Sequence, residues 1–321
     1  MSGLDAFFQD RTQGERVIGT YLYPLGLFGE PDWKESYSCT EVIRRVRIDS
    51  CEVLITRMGG LFVQPPEELS DLYRGCDTPE LSVSDLDAKL AFEETTADVL
   101  NLLICELALV GIVSEPASPV HINYGRLIDN HALVVAGSGA REMYLERSIG
   151  PSLALLANHW IGWPVHGESL LDEVAGLART RILAAMSATL PSLVAGAYYN
   201  YSRRQPAEAL MDAWIVAEQI LDSMWTEYVS GLEGAKRKTR LEDSRTYSAS
   251  VRIEVLRTAG VTDEDMYEDL HQARKARNDL AHRALIDKEA ALQGMCAMRR
   301  LIKLVCGSSV AHSDASHGVN W

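Results

Sequence analysis

The sequence has no cysteine pair at CxxC spacing and no HxxxH or HExxH pattern, the usual signs of a zinc site. Its six cysteines are scattered along the chain. Two of them, Cys105 and Cys306, stand in strongly apolar runs, which is typical of buried free thiols in a reducing compartment. We therefore expect neither a metal nor another cofactor.

Long apolar runs are also missing. The most apolar stretch, residues 99–113, contains Asn101 and Glu106 and is too short to span a bilayer. The first sixteen residues lack the basic and apolar regions of a secretion signal. These absences predict a cytoplasmic protein with no membrane partner.

Positive charge is scarce overall but unevenly spread. The formal net charge is −14, which argues against nucleic-acid binding by the whole surface. Residues 1–199 contain 14 Lys and Arg against 27 Asp and Glu, whereas residues 200–307 contain 17 of each. A polyanion responds to local potential, so the C-terminal part is where such a partner could bind.

The chain is long enough for two domains, and its patterns change character along it. Short runs of β-branched residues with alternating polarity predict strands near residues 40–63, and an apolar helix follows near residues 84–110. We expect an α+β domain over residues 1–200, a bundle of about four helices over 203–307, and a disordered tail over 308–321.

The first helix of this bundle is the most clearly marked. Pro206 marks its start and Gly231 its end. Seven apolar residues recur at helical spacing and predict a broad buried stripe: Leu210, Trp214, Ala217, Leu221, Met224, Trp225 and Tyr228.

The segment QARKARNDLAHRA, residues 272–284, gathers cationic side chains near the end of a long helix. Asn278 and His282 are four residues apart and share a face. Arg277 and His282 are five apart, which separates them by about 140° around a regular helix. They could act together if the helix ended or bent near Ala281, or if a second copy supplied one of them.

These residue types suit phosphodiester chemistry. A histidine can give or take a proton at neutral pH, and an arginine can stabilise charge on phosphate oxygens. RNA carries its own nucleophile in the 2′-hydroxyl, so no metal is obligatory for its cleavage. Asn278 could orient His282 or hold a phosphate.

The order Arg277, Asn278, a short spacer and His282 resembles the signature of HEPN domains. Trp214, Glu218, Leu221 and Trp225 also resemble the first helix of the ApeA-like HEPN group, in which an apolar residue precedes a Glu by one turn. The resemblance covers residues 203–307. Residues 1–200 are not recognised beyond a loose likeness to the N-terminal parts that accompany such domains.

The resemblance implies an all-α HEPN bundle that dimerises and acts as a metal-independent endoribonuclease, often as a toxin or anti-phage defence effector. Arg277 and His282 would be catalytic, with Asn278 in support. Glu218 would pair with Arg277 or help to hold the site. The N-terminal domain would sense a protein or phage-derived trigger, or restrain the bundle.

Further cations could guide the RNA backbone by charge. No aromatic residue is interleaved with the basic run near residue 238, so base stacking is not predicted there. The predicted contacts are Lys236, Arg237, Lys238, Arg240, Arg245, Arg274 and Arg283.

Two other interpretations remain open. A catalytically silent bundle could serve as a dimerisation or interaction module, with the basic run as an ordinary solvated surface. Alternatively, the chain could be an antitoxin-like or ligand-sensing partner, whose acidic N-terminal part covers a basic site.

Overall fold

The computed structural model describes residues 14–22, 27–29, 40–70, 72, 82–136, 165–243, 246–283 and 288–307. The chain divides into two compact units. The first unit comprises Met1–Leu103 and Ala117–Gly176, and the second comprises Ile104–Pro116 and Leu177–Trp321. The division therefore does not follow the chain as a single cut.

The first unit is built on strands. They are β1 (Glu15–Tyr21), β2 (Leu27–Phe28), β3 (Val42–Ile48), β4 (Cys51–Thr56), β5 (Gly60–Val63), β6 (Asn123–Ile128), β7 (His131–Ala136) and β8 (Val165–His166). Six of them form an antiparallel sheet in the order β3-β4-β5-β1-β6-β7, and β2 pairs with β8 in parallel. The strands expected near residues 40–63 are confirmed.

The two outer strands of this sheet approach each other at one end. Glu41 and His131 form an isolated antiparallel bridge, and the Val42 amide donates a 2.8 Å hydrogen bond to the Asn130 carbonyl. Asp129 and Asn130 both have positive φ, as a two-residue hairpin turn between β6 and β7 requires. This contact pairs part of the two sheet edges.

Among the described residues of the first unit, the helices are α1 (Glu67–Ser70), the N-terminal part of α2 (Val83–Leu109) and α3 (Ser169–Val174), with a 3₁₀ turn at Pro119–His121. The last residues of α2, from Ile104 onward, belong to the second unit.

The second unit is helical. Its remaining helices are α4 (Ala178–Met186), α5 (Leu190–Ser202), α6 (Pro206–Ser230), α7 (Ala235–Leu241), α8 (Ala249–Thr258), α9 (Glu264–Arg283) and α10 (Lys288–Cys306). Helix α6 is central, since α4, α5, α7, α8, α9 and α10 all contact it.

The predicted apolar stripe of α6 forms the centre of this unit's core. Trp214, Leu221 and Trp225 are buried in one cluster with residues from α2, α4, α5, α8, α9 and α10. The coarse architecture, an α+β region followed by a helical region, matches the expectation.

The helical unit begins earlier than the predicted bundle. The boundary expected near residue 200 lies at the end of α5, whereas the second unit already contains the chain from Leu177 onward, together with Ile104–Pro116. The reason is packing: Leu183 of α4 and Val194 of α5 are fully buried in the same cluster as Trp214. The tail expected over residues 308–321 lies outside the described residues.

Candidate functional site

The basic segment occupies the last turns of α9, and local chemistry explains this helix. The Asp263 carboxylate accepts a 2.8 Å hydrogen bond from the Met266 amide and caps the start of the helix. Its first turn is acidic and its later turns are basic, which complements the helix dipole. Ala276, near the other end, is buried against Leu210 of α6 and Ala291 of α10. The cations are therefore carried on a helix held by packing on one side.

Arg274 and Arg277 are half-buried on α9 without a carboxylate partner among the residues that the structure describes. Arg277 Nη1 donates a 3.2 Å hydrogen bond to Asn278 Oδ1. The Nε atoms of both arginines are buried and have no hydrogen-bond partner in the described region. A buried donor without an acceptor costs free energy.

Other arginines of the helical unit contrast with these two. Arg252 pairs with Asp222, Arg257 pairs with Glu264 at 2.5 Å, and Arg300 pairs with Asp269 at 2.6 Å. Such pairs neutralise the guanidinium charge, although the Nε of Arg252 is also buried without a hydrogen-bond partner in the described region. The end of α9 therefore combines partial burial with cationic charge that no described carboxylate neutralises.

His282 is exposed in the last turn of α9 and makes no hydrogen bond with another described residue. His271, on the same helix, differs: its ring lies 4.5 Å from the Tyr267 ring, and its Nε2 lies 3.4 Å from Glu254 Oε1. An accessible imidazole without a fixed partner can serve as a proton donor or acceptor to a ligand.

The helix is unbroken between Arg277 and His282. Helix α9 continues to Arg283, so it neither ends nor bends at Ala281. On a regular helix the two Cα positions differ by about 140° and about 7.5 Å along the axis. No hydrogen bond joins Arg277 to His282. A helix end or bend near Ala281 therefore does not bring the two side chains together. The other possibility is that a second copy of the chain supplies one of them.

Glu218 is half-buried on α6, and no ion pair or hydrogen bond joins it to Arg277. The neighbouring Gln219 has a buried Oε1 without a hydrogen-bond partner in the described region. Trp214 and Trp225 are core residues, as their spacing indicates. A supporting role for Glu218 stays a prediction.

The basic run expected to be a connector contains a helix, α7 (Ala235–Leu241). Lys236, Arg237 and Arg240 are exposed on it and lie within little more than one turn. Lys238 is different, because its Nζ donates a 2.6 Å hydrogen bond to the Ser230 carbonyl. Arg245 and the side chain of Arg283 lie outside the described residues.

A cavity of about 170 Å³, which the sequence did not indicate, lies between the ends of α5, α6 and α10. Its lining residues are Tyr201, Ser202, Arg204, Pro206 and Lys288. Lys288 Nζ lies 5.8 Å from the centre of the Tyr201 ring, and Arg204 has a φ of 59°. In the sequence, the Arg203-Arg204 pair after α5 is the one local feature that could have indicated this cavity, because Lys288 is more than eighty residues away.

Burial in apolar surroundings makes the thiols of Cys105 and Cys306 poor nucleophiles. Burial raises the pKa of Cys105 to about 12 and that of Cys306 to about 11. A raised thiol pKa keeps the nucleophilic thiolate rare at neutral pH. Neither cysteine is a candidate nucleophile.

The described histidines of the first unit have separate surroundings. His131 Nδ1 lies 3.2 Å from Thr40 Oγ1, and burial lowers the pKa of His166. His159 and the aromatic residues Trp160 and Trp163 lie outside the described residues. Among the described side chains, no group of three or more His, Cys, Asp and Glu residues could hold a metal ion.

Within the described ranges, no single helix has both the length and the apolar composition needed to cross a membrane. One bent pair, residues 169–186 with 190–202, reaches these values only when its two parts are counted together. Comparison with known proteins places the chain in no family: no protein-family model, no curated protein and no solved structure matches it.

Proposed function

We propose that the helical unit is a metal-independent endoribonuclease of the HEPN class, with the end of α9 as its catalytic surface. The observation that carries the proposal is the pair Arg274 and Arg277, whose buried Nε atoms have no hydrogen-bond partner in the described region, one to two turns before the exposed His282. A phosphate group would supply the negative charge that no described carboxylate brings to these two guanidinium groups.

In the proposed reaction, the 2′-hydroxyl of a ribose attacks the adjacent phosphorus. The 2′-O–P bond forms as the 5′-O–P bond breaks, leaving a 2′,3′-cyclic phosphate and a 5′-hydroxyl. His282 moves a proton, either away from the 2′-hydroxyl or onto the departing 5′-oxygen. Arg277, aligned by Asn278, stabilises the charge that develops on the phosphoryl oxygens.

A homodimer supplies the geometry that one chain lacks. Because Arg277 and His282 lie about 140° apart on a regular helix, one scissile phosphate takes the arginine from one copy and the histidine from the other. Toxicity or anti-phage defence is the biological setting that the HEPN resemblance implies, with the first unit as its sensor or restraint.

The same separation favours a second candidate. A bundle whose Arg277 and His282 never meet would be a catalytically silent dimerisation or interaction module. The cations of α9 would then hold an anionic partner without changing it.

The test is cleavage of a mixed RNA pool in EDTA, with end-group analysis. Wild type is expected to leave cyclic phosphate ends, while Arg277→Ala and His282→Ala leave the RNA intact. His271→Gln is the matched control on the same helix and should cleave. Products with 3′-hydroxyl and 5′-phosphate ends would rule out this mechanism, and equal cleavage by all variants would indicate a contaminant.

Mixing the two inactive variants tests the shared site. If each site takes Arg277 from one copy and His282 from the other, half of the exchanged dimers hold one intact site of two, so about a quarter of the activity returns. Intact RNA under all conditions, including co-expression in cells without toxicity, favours the silent module.

A further inference from the structure

The cavity beside the end of α5 combines two kinds of recognition in a small space. Tyr201 presents an aromatic ring, and Arg204 and Lys288 present exposed cationic groups. An aromatic ring stacks against a nucleobase, and cationic groups bind phosphate. This pairing of a ring with two cations is the chemistry that recognises a nucleotide.

The cations of this cavity are available to a ligand. Neither Arg204 nor Lys288 forms an ion pair with a described carboxylate. Of the described acidic residues close along the chain, Glu208 lies in the first turn of α6 and Glu289 in that of α10, and neither lines the cavity. Lys288 covers the Tyr201 ring at 5.8 Å and would move aside for a base.

The size of the cavity suits one nucleotide of a nucleic-acid strand better than a complete small-molecule ligand. Pockets that enclose a complete small molecule measure roughly 300–1,000 Å³. The cavity of about 170 Å³ is smaller than these, so it accepts one ring while the rest of the ligand remains outside.

The cavity lies at the same end of the helical unit as the basic turns of α9. Tyr201 packs against the apolar cluster that contains Ala276, and Leu280 packs against the same cluster. Ala276 and Leu280 bracket Arg277 and Asn278 on α9. An RNA strand bound at Arg277 would therefore need to extend only a short distance to reach Tyr201.

We propose that this cavity binds one nucleotide of an RNA strand next to the scissile phosphate, with the base on Tyr201 and a phosphate on Arg204 and Lys288. The assignment of that phosphate rests on the proposed ribonuclease function, whereas binding of the strand itself can be measured separately.

The test uses a 2′-O-methyl oligoribonucleotide, which lacks the nucleophile, and the full chain. Binding is followed by fluorescence anisotropy at low salt. Tyr201→Leu should weaken binding about 5- to 100-fold, whereas Tyr201→Phe, which keeps the ring and the packing, should bind like wild type. Arg204→Gly and Lys288→Ala should each weaken it several-fold.

Two features keep these variants informative. Arg204 has positive φ, which glycine adopts without strain, so Arg204→Gly removes the charge and preserves the turn. Lys303→Ala is the matched control for Lys288→Ala, because Lys303 is exposed on the same helix about 22 Å away along its axis. Equal losses in the two lysine variants would mean general charge attraction and would overturn the proposal, as would a wild type that does not bind.

Further measurements distinguish a free nucleotide from an RNA strand as the ligand, and they separate this proposal from the proposed ribonuclease function. If adenosine monophosphate or inorganic phosphate binds the cavity as tightly as the oligonucleotide, the ligand is a free anion and the strand assignment fails. Binding that depends on Tyr201, Arg204 and Lys288 without any RNA cleavage would support the cavity and overturn the ribonuclease. Cleavage by wild type, with all three cavity variants behaving like Lys303→Ala, would do the reverse.

Discussion

Glu106 accepts a 2.7 Å hydrogen bond from Arg179 Nε inside the helical unit, where both side chains are almost completely buried. The other carboxylate oxygen accepts a 3.0 Å hydrogen bond from the Thr180 amide. Glu106 is one of the two polar residues, with Asn101, in the most apolar stretch of the sequence. Its charge is compatible with burial because the start of α4 supplies a cation, one backbone amide and the Thr180 hydroxyl as donors.

We predict that Glu106→Leu destabilises the helical unit by about 3–5 kcal/mol, because it removes the carboxylate that is paired with the buried Arg179. The measurement is the free energy of unfolding in urea, followed by far-ultraviolet circular dichroism. The control is the double variant Glu106→Leu with Arg179→Met, which removes both charges and should lose clearly less. A double variant as unstable as the single one would show that the loss does not come from breaking this ion pair.

A second prediction concerns Asp212 of α6. Burial raises the pKa of this carboxyl, the hydrogen bond from Asn200 lowers it, and Glu208 raises it further, with a net rise above 3.8. The native state therefore binds this proton more tightly than the unfolded state does. As a result, the free energy of unfolding falls as pH rises from 3.8 through the native pKa. Asp212→Asn should have a higher melting temperature than wild type at pH 7.

The pH dependence of this difference is the decisive measurement. The gain in Asp212→Asn should shrink as pH falls and vanish below about 3.8, where wild type is protonated as well. Asparagine also keeps an oxygen that can accept the 2.9 Å hydrogen bond from Asn200 Nδ2. Glu268→Gln, an exposed change of the same charge on α9, should alter the melting temperature little. A gain that is constant with pH would indicate packing instead of charge.

Local patterns predicted the parts of the fold that local physics decides. Helix α6 begins at Pro206, and its apolar spacing places Trp214 and Trp225 in the core. The separation of Arg277 and His282 also followed from residue spacing alone, since α9 is regular through both.

Long-range contacts are what the sequence could not supply. The pairing of Glu106 with Arg179 joins residues 73 apart, and the cavity joins Tyr201 to Lys288. Whether α4 and α5 belong to the strands or to the helices depends on which core buries Leu183. The spacing of apolar residues within one helix does not show which core the helix joins. The predicted boundary near residue 200 therefore lies inside the second unit, which already contains Leu177.

The last prediction tests the exposed cations of α7, and it applies if the helical unit binds RNA. Removing Lys236, Arg237 and Arg240 together should weaken binding of single-stranded RNA. It should also reduce the slope of log affinity against log salt by about two, since each phosphate contact contributes about 0.7. The measurement is the affinity for a 2′-O-methyl oligoribonucleotide at several salt concentrations.

Lys238 provides the internal control for this prediction. Its Nζ already donates a 2.6 Å hydrogen bond to the Ser230 carbonyl, whereas the other three side chains extend into solvent. Lys238→Met should therefore change the slope less than any single exposed cation does. If the triple variant keeps the wild-type slope, α7 is an ordinary solvated helix and the RNA backbone follows another path, because counterion release depends only on the cations that touch phosphate.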